Sequence, residues 1–186
     1  AGQHASVRFR PDPAHPLFGR EMYRQSFGPD YYSFTYGGVH FVGLNTVDVD
    51  GDRYYGHVDA RQLAWLERDI QAIPADMPVV TFDHIPFYTT GALVSGYTEE
   101  GAGSTLITVA GKTQFRHSVA NTEDVLRVLG TNRRVLALGG HVHFAESIER
   151  PGENVRFATS AATVGPSGAF PSGFTVYSVR RGEIDA

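Results

Sequence analysis

No cysteine occurs in the 186 residues. That absence removes disulfides, thiolate zinc sites, iron–sulfur clusters and cysteine nucleophiles together. Lysine is nearly missing as well. Lys112 stands alone among 16 basic residues, so a Schiff-base lysine or the lysine of a phosphate-binding loop has almost nowhere to be. No apolar run approaches the roughly 18 residues of a membrane span, and the first residues do not read as a signal peptide. Positive charge is not in excess either: 20 acidic side chains against 16 basic ones leave a formal charge of -4. This balance disfavours nucleic acid or an anionic membrane surface as a partner. What is there, 41% apolar and 12% aromatic residues, suits one globular domain over residues 1–186 with a sizeable core. Neither an internal repeat nor a linker interrupts it. Any metal has to sit on His, Asp, Glu or Asn, and the eight histidines become the inventory to follow.

The chain opens Ala1-Gly2-Gln3-His4-Ala5, with no initiator Met and no capped element, and reads as a start cut from something longer. Residues 5–30, with Pro11, Pro13, Pro16 and Pro29, read as a surface-wrapping connection holding one helical turn around Glu21–Gln25. Tyr32–Tyr36 and Val39–Leu44 alternate around Gly37-Gly38 and predict a hairpin. Asp50-Gly51-Asp52 predicts a turn, because no further acids follow at calcium-loop spacing. Asp59 then opens the clearest helix, with Gln62 as its capping-box partner and Leu63, Leu66, Ile70 and Ile73 at helical spacing. Residues 78–83 predict a buried strand ending at His84. Residues 86–122 form a long Gly- and Thr-rich excursion with one strand at Thr105–Ala110, and a connection of that length is usually functional. Asn121 or Thr122 caps a second helix that runs to Gly130, and Val135–Leu138 is a second buried strand leading through Gly139-Gly140 into His141-Val142-His143. From Ser147 onward the pattern reads as antiparallel, with strands near Ser147–Arg150, Val155–Ser160 and Phe174–Val179.

Strand, crossover helix, strand is a parallel unit. In open α/β sheets, ligands gather outside the carboxyl ends of such strands, and that is where His84, His141 and His143 fall. Neutral imidazoles bind Zn, Mn, Fe or Ni well. Taken singly, a strand-end histidine is more often a core or capped residue than a ligand. Two strands delivering histidines to one sheet edge, one after a Gly-Gly turn, set a metal site level with that ordinary reading. Asp83 either orients a ligand histidine or accepts backbone hydrogen bonds. His15, His40, His57 and His117 lack a comparable constellation. His117 and Arg116 nonetheless lie, with Tyr88 and Tyr97, on the excursion that leaves from His84, where they can shape a pocket and contact substrate.

Five segments together carry a resemblance. Phe27-Gly-Pro-Asp-Tyr-Tyr-Ser-Phe34, Gly38-Val-His-Phe-Val-Gly-Leu44, Gln62-Leu-Ala-Trp-Leu-Glu67, His84-Ile-Pro86 and Gly139-Gly-His-Val-His143 are similar in order and spacing to the calcineurin-like metallophosphoesterase superfamily, in its secreted or envelope-associated bacterial branch. The resemblance implies an α/β fold of two packed mixed sheets flanked by helices. It implies two divalent ions, Mn, Fe or Zn, between the sheet edges, hydrolysing phosphomonoesters or phosphodiesters with a bridging hydroxide. His84 and His141 would bind one ion and His143 the other. Gly2-Gln3-His4 stands where the family has Gly-Asn-His, so Gln3 takes the position of a metal-binding Asn and His4 that of the residue that protonates the leaving group.

The family's Asp-x-His and Gly-Asp-x-x-Asp elements have no counterpart in these residues. About two βα units, roughly 60 residues at about 30 each, are therefore expected upstream. Without their carboxylates the resemblance implies at most one weakly bound ion here, and little or no hydrolysis by this chain alone. It also implies a secreted or cell-envelope location and a small-molecule phosphoester as substrate. Two other readings stand beside it: a non-catalytic binding or structural module that keeps the fold, and a mononuclear zinc or iron domain unrelated to phosphate.

Overall fold

The structure, a computed structural model, describes residues 14–17, 19–51, 53–96, 104–130, 133–150, 152–163, 171–180 and 183–185. Its first element is α1 (Glu21–Phe27), which extends past the single turn expected there and stops at Gly28, whose φ of 88° a side chain would resist. The predicted hairpin follows. β1 (Tyr32–Tyr36) and β2 (Val39–Gly43) pair antiparallel, with both turn glycines at positive φ. A second hairpin, β3 (Val47–Asp50) with β4 (Arg53–Gly56), closes where Asp50-Gly51 predicted a turn. The turn is legible in the sequence and its two short strands are not.

Helix α2 (Ala60–Gln71) begins as expected, with the Asp59 carboxylate accepting from the Gln62 N–H at 2.8 Å. The other half of the predicted capping box does not form. Gln62 is fully buried and turns its amide to Asn45 instead, accepting from the Asn45 N–H and donating to the Asn45 carbonyl, both at 2.8 Å. Two backbone groups at the end of β2 would otherwise lie in the core without partners, which costs more than an open cap at a solvated helix end.

β5 (Val79–Phe82) ends at His84 as predicted. The long excursion holds more structure than the single strand expected: α3 (Gly91–Ser95), then β6 (Leu106–Val109) and β7 (Lys112–Phe115) as a hairpin. Its turn, Ala110-Gly111, has both residues at positive φ. An alanine rarely takes that conformation, so the pair does not announce a hairpin. Helix α4 (Thr122–Leu129) starts at Asn121 without a side-chain cap from either candidate. The Asn121 amide is committed to both the N–H and the carbonyl of Val58, and the Thr122 hydroxyl to the carbonyls of Phe87 and Val119.

The last third holds β8 (Val135–Gly139), β9 (Glu146–Glu149), β10 (Val155–Thr159), β11 (Ser178–Arg180) and β12 (Glu183–Asp185). A mixed six-stranded sheet runs β1-β2-β5-β8-β10-β9, with β2, β5, β8 and β10 parallel and an antiparallel strand at each edge. The expected all-antiparallel ending is thus corrected: β10 is antiparallel to β9 but parallel to β8. Each of β3/β4, β6/β7 and β11/β12 forms its own two-stranded sheet. The predicted strand over 174–179 is shorter, β11, and pairs with β12.

Alternation along the parallel strands sorts the core. Val42, Val79, Val135, Ala137, Val155 and Phe157 face α2 and α4, joined there by Leu66, Val125 and Leu129. Full burial of each large aliphatic side chain contributes about 1.5–3 kcal/mol, so this face anchors the domain. Val39, Val80, Leu136 and Ala158 point the other way, where Tyr177, Val179 and Ile184 cover part of the sheet. The architecture is α/β. The four parallel strands direct Asn45, Asp83, His84, Gly140 and Ser160 to one edge, laced by Leu44 N–H to Phe82 O, Asp83 N–H to Leu138 O, Gly140 N–H to His84 O and Ser160 N–H to Gly139 O.

Candidate metal centre

His84 leaves β5, and His141 follows β8, at that laced edge. The backbone there is strained. His141 has φ of 67° and His143 of 64°, the left-handed region that non-glycine residues seldom enter, at about 1–3 kcal/mol each. Gly139 is required by a close approach of the backbone: a Cβ on it would stand 2.7 Å from Pro86 Cβ and 2.9 Å from Pro86 Cα. The close approach is to the chain just after His84, and it fixes how His84 meets His141. A Cβ on Gly140 would find nothing nearer than the His84 carbonyl oxygen at 3.7 Å.

Three imidazoles line up as a result. His84 Nε2 lies 3.2 Å from His141 Nδ1, and the other nitrogen of the same ring, His141 Nε2, lies 2.7 Å from His117 Nδ1. The His141 and His117 rings stack at 4.9 Å and 29°, while His84 meets His141 edge-on. Tyr54 is edge-on to both His141 and His117, and Phe115 to His117. His117 therefore belongs to the cluster, which its isolated place in the sequence did not indicate.

A backbone clamp brings it there. Gly56 donates to the Arg116 carbonyl and accepts from Ala120, and pairs with Val119 as a parallel bridge. A Cβ on Gly56 would sit 2.3 Å from Ser118 O, so only glycine lets β4 and residues 116–120 approach this closely.

Electrostatics keep the rings neutral. Burial, followed by the neighbouring His117, His84, His143 and Arg116, pushes His141 down to about 4. Burial first and His143 second lower His84; burial first and Arg116 second lower His117. Neutral rings present free lone pairs to a cation. Arg116 is itself buried, with its guanidinium 4.2 Å from the Tyr54 ring centroid and its Nε without a hydrogen-bond partner. Among the described residues no carboxylate pairs with it. A stacked guanidinium with an uncommitted Nε–H is a ready oxyanion contact.

Other expectations meet the structure less directly. Gln3, His4 and Tyr97 lie outside the described residues. His143 is exposed, and its charge is felt by both His84 and His141. Among the described residues, no three His, Asp or Glu side chains converge as a metal-binding group. Asp83 takes neither anticipated role: both carboxyl oxygens are shielded and without hydrogen bonds, and burial pushes its pKa well up. Tyr88 turns away, donating to Glu123 and packing on Phe157. His40 bonds Asp69 and Thr35, His57 bonds Asp48, and His15 bonds the Leu17 N–H, consistent with structural roles. Tyr54 was missed altogether, since one aromatic in a hairpin carries no signal of what will stack on it.

Beside His84 opens a cavity of about 630 Å³, lined among others by Arg20, Asp30, Asn45, Asp48 and Asp83. A second cavity of similar volume, about 640 Å³, lies by Pro78, Arg134 and Glu149, at the opposite ends of the strands and away from the histidines.

The donor geometry fits a cation of the kind the resemblance implies. Metal–nitrogen bonds of about 2.0–2.1 Å put two ligand nitrogens on one ion roughly 2.9–3.4 Å apart, and His84 Nε2 and His141 Nδ1 are 3.2 Å apart. No protein-family model matches the chain, and no curated protein matches it.

Proposed function

We propose that this chain is a metal-dependent phosphoester hydrolase unit of the metallophosphoesterase type, with His84 Nε2 and His141 Nδ1 as ligands of one divalent ion. The observation that carries the reading is the convergence of those two neutral ring nitrogens at the carboxyl edge of the parallel strands. A divalent ion bound there supplies Lewis-acid activation of water and charge for the phosphoryl oxygens.

The chain's own groups do the rest. Arg116, stacked on Tyr54 and without a carboxylate partner among the described residues, binds a non-bridging oxygen of the ester and orients phosphorus toward the histidines. His117 follows Arg116 in the chain and stacks on His141. In this reading His143 and Gln3 are the residues assigned to a second ion. His4 is the proton donor to the leaving group. With no carboxylate among the three linked rings to offset charge between two cations, these 186 residues hold one ion weakly and turn over phosphate esters slowly or not at all. The full architecture in this reading is a sandwich of two mixed sheets. The partly covered face bearing Val39, Val80, Leu136 and Ala158 is the face a second sheet would pack against. A secreted or cell-envelope location goes with the same reading.

Elemental analysis after dialysis against Zn²⁺ or Mn²⁺, followed by calorimetric titration, tests the site. About one ion per chain is expected, lost in His84→Ala and His141→Ala. Absence of binding by the unaltered chain at millimolar metal, or binding indifferent to both substitutions, would overturn the reading in favour of a non-catalytic module. Manganese-dependent turnover of p-nitrophenyl phosphate, abolished by His141→Ala, would instead refute the claim that this chain is nearly inactive.

A further inference from the structure

We infer that His117 is the positioning residue for His141: its Nδ1 accepts the His141 Nε2 proton and so fixes the tautomer whose Nδ1 lone pair faces His84. The inference rests on the metal-site reading above, and it follows from how the rings are joined. Among the described residues, each nitrogen of His141 has one partner, His84 Nε2 on one side and His117 Nδ1 on the other. A cation held between His84 Nε2 and His141 Nδ1 takes the place of the proton that would otherwise join them, so both of those nitrogens must be unprotonated. His84 then carries its proton on Nδ1 and His141 on Nε2, and the acceptor 2.7 Å from the latter is His117 Nδ1. His117 then keeps its own proton on Nε2.

The surroundings hold the acceptor in place. The His117 ring stacks on His141 and is flanked edge-on by Tyr54 and Phe115. Its backbone is drawn in by the Gly56 bonds to Arg116 and Ala120. Arg116, the preceding residue, stacks on the same Tyr54, and its positive charge beside the ring opposes a second proton there. A ligand histidine usually gives its second N–H to a carboxylate, a carbonyl or water. Here a neutral imidazole takes that role.

Side-chain geometry supplies a sharp test. The Oδ1 of asparagine can occupy the place of a histidine Nδ1, whereas the acceptor of glutamine falls nearer Nε2. Zinc affinity of the full chain is measured by calorimetry for the unaltered protein and for His117→Asn, His117→Gln and His117→Leu, with circular dichroism and thermal melts reporting the fold. His117→Gln and His117→Leu are expected to bind zinc about 10–100-fold more weakly. His117→Asn should stay within about threefold of the unaltered chain, because it restores only the acceptor. Nitrogen-detected long-range NMR of the zinc-bound, unaltered protein should place the proton of His141 on Nε2 and leave His117 Nδ1 unprotonated. This measurement decides the matter even if a variant does not fold. Equal affinity in all four proteins, no rescue by His117→Asn, or a proton on His117 Nδ1 would overturn the inference while the metal site stands. Failure of the unaltered chain to bind zinc would remove the metal-site reading itself, and this inference with it.

Discussion

Acidification should weaken this protein through His141, the most strongly depressed histidine among the described residues. Buried Asp83, held well above its ordinary value, acts in the opposite sense and equally in any His141 variant. In the folded chain the His141 ring titrates at about 4, down from 6.5, because burial and the surrounding His117, His84, His143 and Arg116 disfavour the imidazolium. In the unfolded chain the ring takes a proton near 6.5. Between these two values the unfolded state binds more protons than the folded one. Stability from this site is therefore intact above 6.5 and falls as pH drops toward 4. At about 1.4 kcal/mol per unit, the ceiling is about 3 kcal/mol. The ring is partly exposed, and solvent screening brings the expected loss to about 1–2 kcal/mol. His84 and His117 shift in the same direction and add to it. Asp30, Asp48 and Asp59 are held below the usual carboxylate value, so their stabilisation is lost mostly below this window and does not mask the effect. Urea titrations with a chelator present, at about pH 7.5 and about pH 4.5, measure it against His141→Gln. The unaltered protein should lose about 1–2 kcal/mol more than the variant across that interval. Parallel pH dependence of the two proteins would show that the rings are not held neutral, and the electrostatic account of the site would fail.

Gln62→Leu leaves the Asn45 N–H and carbonyl without partners in the core, at about 1–3 kcal/mol each, so chemical denaturation should show a loss of about 2–5 kcal/mol. A loss below about 1 kcal/mol would mean that water reaches the end of β2. Gly139→Ala forces a Cβ into Pro86 and should cost about 1–3 kcal/mol while weakening zinc binding through the displaced His84. Gly140→Ala meets only ordinary contacts and should change stability by about 0.5 kcal/mol or less. Comparable melting temperatures for these two variants would refute the close approach between β8 and the His84–Pro86 turn.

The elements that were legible in the sequence are those whose signal is local. Alternation around Gly37-Gly38 specified β1 and β2, and Asp59 with the Leu66/Ile70 spacing specified α2. The apolar runs before His84 and His141 specified two parallel strands joined by α4. Capping was less legible because it is a competition. Gln62, Asn121 and Thr122 all have the chemistry of helix-start residues, yet each is drawn to buried backbone groups that appear only when distant segments pack: Asn45, Val58, and the carbonyls of Phe87 and Val119. The β6/β7 hairpin hid behind Ala110-Gly111, a turn whose first residue adopts positive φ against its own preference. β10 looked antiparallel because its nearest neighbour in sequence, β9, is so. Its parallel bond to β8 depends on where the sheet is already laid down.

The candidate site divides in the same way. Absence of cysteine, abundance of histidine, and apolar strands ending in His84 and His141 were sufficient to bring two histidines of the candidate site to one edge, because a strand's carboxyl end is fixed by its own few residues. That His141 uses Nδ1 toward His84 and Nε2 toward His117, that Arg116 is buried on Tyr54 with no carboxylate among the described residues beside it, and that Asp83 is shielded without a hydrogen bond were decided only by tertiary structure. Those facts depend on a glycine at position 56 letting two backbones touch and on a glycine at 139 letting the chain after His84 close on β8. A sequence records which atoms are available along the chain. Which of them share a dry pocket is set by packing, where a tenth of a nanometre separates a clash from a contact.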